Sequence, residues 1–155
     1  KVANPKRLLE IREIYLQELQ KLSRGHHYVT DKFPHNFLYV GLIASAFPEA
    51  KIIHVTRNPA ATCWSNFKTY FSSDGLGYSY DLKDVVDYYQ LYEDLMSYWH
   101  QEYGPLLYRL DYDLLTINQE IETKRLIGHL GLEWENACLS PHETKELFGL
   151  HHKSK

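Results

Sequence analysis

No glycine-rich phosphate loop of the G-x-x-x-x-G-K-[ST] type occurs in the 155 residues, which excludes an ordinary nucleotide kinase. Gly75-Leu76-Gly77 has neither a strand before it nor a third glycine, so it reads as loop punctuation. Cysteine is scarce, and Cys63 and Cys138 have no metal-ligand spacing. Two free thiols in a reducing compartment are the plain reading, and a single disulfide is the alternative. No metal is expected. A net charge of -3 excludes a global basic signature for nucleic acid. The longest apolar run, Phe37 to Phe47, is too short to span a bilayer as a helix. Residues 1–24 lack the continuous apolar segment of a signal peptide. These absences predict a soluble, cytoplasmic protein with neither nucleic acid nor membrane as partner. No repeat, low-complexity tract or linker interrupts the chain, so 1–155 reads as one domain or part of one. The first residue is Lys rather than Met, as in a processed product or an excised piece.

The most informative stretch runs from Lys51 to Phe71. Ile52, Ile53 and Val55 predict a buried strand. Arg57-Asn58-Pro59 then ends it. Asn58 suits a helix cap, and Pro59 suits the first helical position because its missing N–H has no partner there anyway. Ala60, Trp64, Phe67 and Phe71 recur at helical spacing as one apolar face, with Thr62, Ser65 and Thr69 as a line of hydroxyls beside it. Arg57 is thereby delivered to the carboxyl end of a strand, where open α/β sheets bind ligands. A cation beside a helix N-terminus favours an anion, most often phosphate. The alternative is an αβ unit with Arg57 solvated or in a surface ion pair.

The chain around this stretch alternates helices and strands. Leu8, Ile11, Tyr15, Leu19 and Leu22 predict an amphipathic helix from Pro5 to Arg24, closed by Gly25. His26-His27 reads as a solvated loop, since adjacent residues rarely share one metal. Tyr28 to Asp31 is a short strand candidate, and Asn36 to Ala46 a buried helix stopped by Pro48. Strand, helix and strand in that order predict a βαβ unit, which puts Lys32 and Arg57 at the same sheet edge. Ser72 to Tyr80 is a polar loop. Asp81 caps a long helix whose stripe is Val85, Tyr89, Tyr92, Met96, Trp99 and Tyr103, a pattern of core packing. Leu106 to Asp111 predicts a third strand. Thr116-x-x-Gln119 reads as a capping box that opens a helix to about Leu130, with Gly131 closing it. Ser140-Pro141-x-Glu143 starts a last short helix ended by Gly149, and the His151-His152 tail reads as frayed.

Arg57-Asn58-Pro59 followed by Ser65 resembles the 3′-phosphate-binding motif of the sulfotransferases that use 3′-phosphoadenosine 5′-phosphosulfate (PAPS). The segments 30–38 (TDKFPHNFL), 47–51 (FPEAK), 110–113 (LDYD) and 130–132 (LGL) follow in that family's order. The sequence is most similar to the branch of bacterial tetratricopeptide-linked and tyrosylprotein sulfotransferases. The resemblance implies a three-layer P-loop NTPase-like fold with a parallel sheet flanked by helices, and transfer of a sulfuryl group from PAPS to a hydroxyl or amine. It implies that Arg57 and Ser65 hold the 3′-phosphate, that Tyr112 contacts adenine, and that Lys32 stabilises charge on the leaving phosphate. Tyr78 and Tyr80 fall in a loop that borders the acceptor in related enzymes. The acceptor itself, whether peptide, carbohydrate or small molecule, is not implied.

Three family features are missing: the 5′-phosphosulfate loop after the first strand, a placeable general base (Glu10, Glu13 and Glu18 stand in no recognisable motif) and a basic segment after the Ser140 region. The expectation is a fragment cut at both ends, or a degenerate homologue, inactive in sulfuryl transfer by itself. The reading from another class is a non-catalytic α/β module that binds a protein or a nucleotide.

Overall fold

A computed structural model describes residues 4–23, 25–71 and 75–143. The chain forms two compact units. One comprises residues up to 52 together with 58–107. The other comprises 53–57 and the chain from 108 onward.

The first unit is helical. α1 spans Pro5–Leu22, with Asn4 accepting from the Lys6 N–H at 3.0 Å as its cap. The sequence places this helix correctly, ending two residues before the expected boundary. α2 covers Val40–Ala46 and is preceded by a 3₁₀ turn over Pro34–Tyr39. The expected single helix from Asn36 is thus split. Pro34 opens the tighter turn, and only from Val40 onward is the chain α-helical. α3 spans Pro59–Lys68, and α4 spans Leu82–Tyr103. The Asp81 carboxylate accepts from the N–H groups of Lys83 (2.7 Å) and Asp84 (3.2 Å), which starts α4 where expected.

Val40, Met96 and Leu107 form the buried centre of this unit, with Phe37, Ile52, Tyr92, Trp99, Tyr103 and Leu106 packed against it. Val85 is also fully buried. The α4 stripe is therefore core, as its spacing predicts. Phe37 meets Tyr92 edge-on at 5.1 Å, and the Trp99 indole N–H donates to the Phe37 carbonyl at 2.8 Å. The apolar face read on α3 is largely exposed. Trp64 is 55% exposed, Phe71 lies beyond the helix end, and the buried α3 residue is Cys63. α3 packs on α4 through the side that carries the thiol, a choice that periodicity alone does not make.

The parallel strand pair is β1 (Ile52–Thr56) and β2 (Leu107–Asp111), of which all but the first residue of each strand belongs to the second unit. The Thr56 hydroxyl donates to the Leu110 carbonyl, and Arg109 Nε donates to Thr56 Oγ1, both at 3.4 Å. α5 (Tyr112–Ile117) and α6 (Gln119–Leu130) follow β2. The capping box at Thr116 is overturned. Thr116 lies inside α5, its hydroxyl donating to the Asp113 carbonyl at 2.8 Å, and Asn118 is the residue between the two helices. Gly131 ends α6 at φ 71°, a left-handed conformation that favours glycine. Its N–H bonds to the Gly128 carbonyl, and that of Leu132 bonds to the Ile127 carbonyl.

The expected strand at 28–31 does not form. Residues 28–33 have no regular structure, and the sheet of the described residues contains only β1 and β2. A strand exists only by pairing, and no described neighbour offers its ladder to this segment. The βαβ unit built on it is therefore overturned, and so is the strand-end placement of Lys32. The described residues support a mostly helical α/β fold with a small parallel sheet. Both cysteines are free. No helix of the described residues is long and apolar enough to cross a membrane. The closing Gly149, the His151-His152 tail and residues 72–74 of the polar loop lie outside the described residues.

Candidate functional site

Arg57 is the first residue after β1, and Tyr112 is the first after β2. Because the strands are parallel neighbours, both stand at the carboxyl edge of the sheet. The guanidinium carbon lies 5.6 Å from the centre of the phenol ring. This is cation–π geometry, attractive by about 0.5–1 kcal/mol at an exposed site. Arg57 is exposed, and none of the ion pairs among the described residues includes it. Of the two acids that flank Tyr112, Asp111 is committed elsewhere. Its carboxylate accepts from the Leu114 N–H at 3.0 Å and caps α5. The pair thus sets an exposed cation beside a half-exposed aromatic ring, which suits an anion carried on a planar heterocycle.

α3 begins directly after Arg57 in the chain. Asn58 caps it as expected, its side-chain oxygen accepting from the Ala61 N–H at 3.0 Å. Pro59 has no N–H, so the first three helical residues leave only the Ala60 N–H for a ligand. Ser65 is half-buried on the same helix. The Thr69 hydroxyl donates to its carbonyl at 2.7 Å, and that of Thr62 to the Asn58 carbonyl at 3.0 Å. Two of the three residues in the predicted hydroxyl line therefore bond back to the helix.

Lys32 is exposed, in the irregular segment before the Pro34 turn. Its neighbour Asp31 accepts from the Tyr15 hydroxyl of α1 at 2.5 Å. Burial, and then that hydrogen bond, push Tyr15 up to about 12. In the sequence Tyr15 reads only as one residue of an apolar stripe. A tyrosine in such a stripe needs a partner for its hydroxyl, and that need was the available signal. Tyr78 and Tyr80 are engaged within their own unit. Tyr78 stacks on Tyr88 at 4.0 Å, and the Tyr80 hydroxyl donates to the Phe71 carbonyl at 2.5 Å. Glu18, one of the acids on α1, pairs with Lys21 at 2.5 Å.

A basic residue and an aromatic residue thus stand at adjacent parallel strand ends of a mostly helical α/β fold, the edge at which open α/β sheets bind ligands. Comparison with known proteins is more specific. The Sulfotransferase family model matches residues 7–136, and the chain belongs to that family. An uncharacterized protein of Aquifex aeolicus (strain VF5) is 35% identical over 135 residues, covering 86% of this chain and 18% of that protein. The chain thus spans less than a fifth of that relative's length. No solved structure matches.

Proposed function

We propose that the protein takes part in PAPS-dependent sulfuryl transfer, and that this chain carries the 3′-phosphoadenosine side of the donor site. The observation that carries the reading is the Arg57–Tyr112 pair at the carboxyl edge of β1 and β2, in a chain of the Sulfotransferase family. Arg57 binds the 3′-phosphate by charge-assisted hydrogen bonds, and Tyr112 lies against adenine. Ser65 and Lys32 are assigned by the order of the sequence motif: Ser65 to the 3′-phosphate, Lys32 to the 5′-phosphate that leaves.

In the transfer, the acceptor oxygen or nitrogen attacks sulfur in line as the bridging S–O bond breaks. A new S–O or S–N bond forms, 3′-phosphoadenosine 5′-phosphate departs with the bonding pair on its bridging oxygen, and the proton of the acceptor hydroxyl or amine is released to water. The Lys32 ammonium stabilises that negative charge electrostatically, a role for which fixed cations suffice. The acceptor is a hydroxyl or an amine.

Calorimetric titration of the chain with 3′-phosphoadenosine 5′-phosphate tests the reading, with adenosine 5′-monophosphate as control. The expected result is preference for the 3′-phosphorylated nucleotide, reduced about tenfold to a hundredfold in Arg57→Ala by loss of a hydrogen bond to a charged group. Equal affinity for the two nucleotides, or an indifferent Arg57→Ala, overturns it.

A further inference from the structure

We propose that Tyr15 is a positioning residue for Lys32, acting through its hydrogen bond to Asp31. The inference rests on the assignment of Lys32 to the 5′-phosphate.

A side chain that must meet a developing charge needs a fixed backbone beneath it. Lys32 has no strand or helix of its own, since residues 28–33 are irregular and exposed. What holds it is an anchor on either side. On the C-terminal side, Phe33 precedes the 3₁₀ turn and its carbonyl accepts from the Asn36 N–H at 2.9 Å. Four residues on, the Phe37 carbonyl is held by Trp99. On the N-terminal side, the side-chain anchor is Asp31, held by Tyr15.

Tyr15 is itself fixed. Its ring lies 5.1 Å from that of Phe47, over which the Arg12 guanidinium also lies, at 5.4 Å. Arg12 donates to the Ala46 carbonyl at 2.8 Å, and its two terminal nitrogens reach the Glu49 carboxylate at 3.0 and 2.5 Å. α1 is thereby pinned to the end of α2, and Tyr15 transfers that fixation to the residue before Lys32.

The bond has a second effect. Asp31 is the carboxylate next to Lys32 in sequence, and in an unanchored segment it is free to turn and neutralise the ammonium. Held by the phenol, it stays engaged, and none of the ion pairs among the described residues includes Lys32. The raised Tyr15 pKa keeps the donated proton in place across neutral pH.

The test compares affinity for 3′-phosphoadenosine 5′-phosphate with that for adenosine 3′-monophosphate, which lacks the 5′-phosphate. Tyr15→Phe keeps the ring on Phe47 and removes only the hydroxyl. It is expected to lower the ratio of the two affinities about threefold to tenfold, the scale of one hydrogen bond, and to leave adenosine 3′-monophosphate binding unchanged. Asp31→Ala should do the same, and the double variant should add nothing. In a Lys32→Ala background, Tyr15→Phe should no longer change the ratio. Equal loss of both nucleotides in Tyr15→Phe marks general damage to the fold and overturns the proposal. A ratio lowered by Lys32→Ala but not by Tyr15→Phe overturns the positioning role alone. A ratio unchanged by Lys32→Ala removes Lys32 from the site, and the positioning role with it.

Discussion

The Arg57 guanidinium lies 5.6 Å from the centre of the Tyr112 ring, although the two residues are far apart in sequence. Their proximity follows from the pairing of β1 with β2, which puts both at one end of the sheet. In the proposed function the cation takes the 3′-phosphate and the ring takes the base.

That division of labour predicts separable losses. Tyr112→Leu removes the aromatic surface and should weaken binding of 3′-phosphoadenosine 5′-phosphate and adenosine 5′-monophosphate alike, by about 1–3 kcal/mol. Arg57→Ala should weaken only the 3′-phosphorylated nucleotide. Calorimetry on the two variants decides, and a Tyr112→Leu chain that loses only 3′-phosphate selectivity contradicts the assignment to adenine.

Gly41 predicts a stability effect opposite to helix propensity. In an exposed helix interior, Gly→Ala stabilises by about 1 kcal/mol. A Cβ at Gly41 falls 2.9 Å from two atoms of the Trp99 indole. That ring cannot simply move away, because its N–H is bonded to Phe37. Gly41→Ala should therefore lower stability by about 1–3 kcal/mol, the usual cost of overpacking. Urea denaturation measures it, and a stabilised variant refutes the close packing of α2 on α4.

Tyr15 predicts a pH effect of defined sign. Its folded pKa, about 12, lies above the ordinary value of 10.0. The fold thus favours the protonated phenol, and this contribution to stability is complete below pH 10. It declines between pH 10 and 12 and is gone above. Ultraviolet titration should show one tyrosine ionising near pH 12 that disappears in Tyr15→Phe. Tyr89 is also raised, chiefly by burial and then by its bond to Glu93 at 3.1 Å, so a second late ionisation should persist in that variant.

Met96 predicts the cost of opening the main core. It is 4% exposed and packs with Val40 and Leu107. Met96→Ala should destabilise by about 2–5 kcal/mol through lost transfer energy and a residual cavity. A change below 1 kcal/mol in thermal or chemical unfolding means that the site collapses freely.

The locally encoded parts of this structure were legible from residues alone. Asn58-Pro59 starts α3, Asp81 starts α4, Gly131 ends α6 and the β-branched run at 52–55 forms β1, because caps, left-handed glycines and short apolar runs act within a few residues. The α4 stripe from Val85 to Tyr103 is core for the same reason of local periodicity. Arg57 at a strand end followed the same logic.

What failed was non-local. Whether Tyr28 to Asp31 becomes a strand depends on a partner's ladder, and none is present among the described residues. Which face of α3 is buried depends on how α4 meets it, and Cys63 rather than Trp64 faces inward. The capping box at Thr116 matched the local pattern, but α5 had already begun at Tyr112 with Asp111 as its cap.

The sequence by itself determined where α1, α3 and α4 start, where α6 stops, that Arg57 stands at the end of β1, and the family. Those properties are set by side-chain chemistry within a few residues and by the order of motifs. Only the tertiary structure decided that Arg57 and Tyr112 share one edge, and that Tyr15 grips the residue before Lys32. Both contacts join residues remote in sequence. They arise from strand pairing and helix packing, which no local pattern specifies.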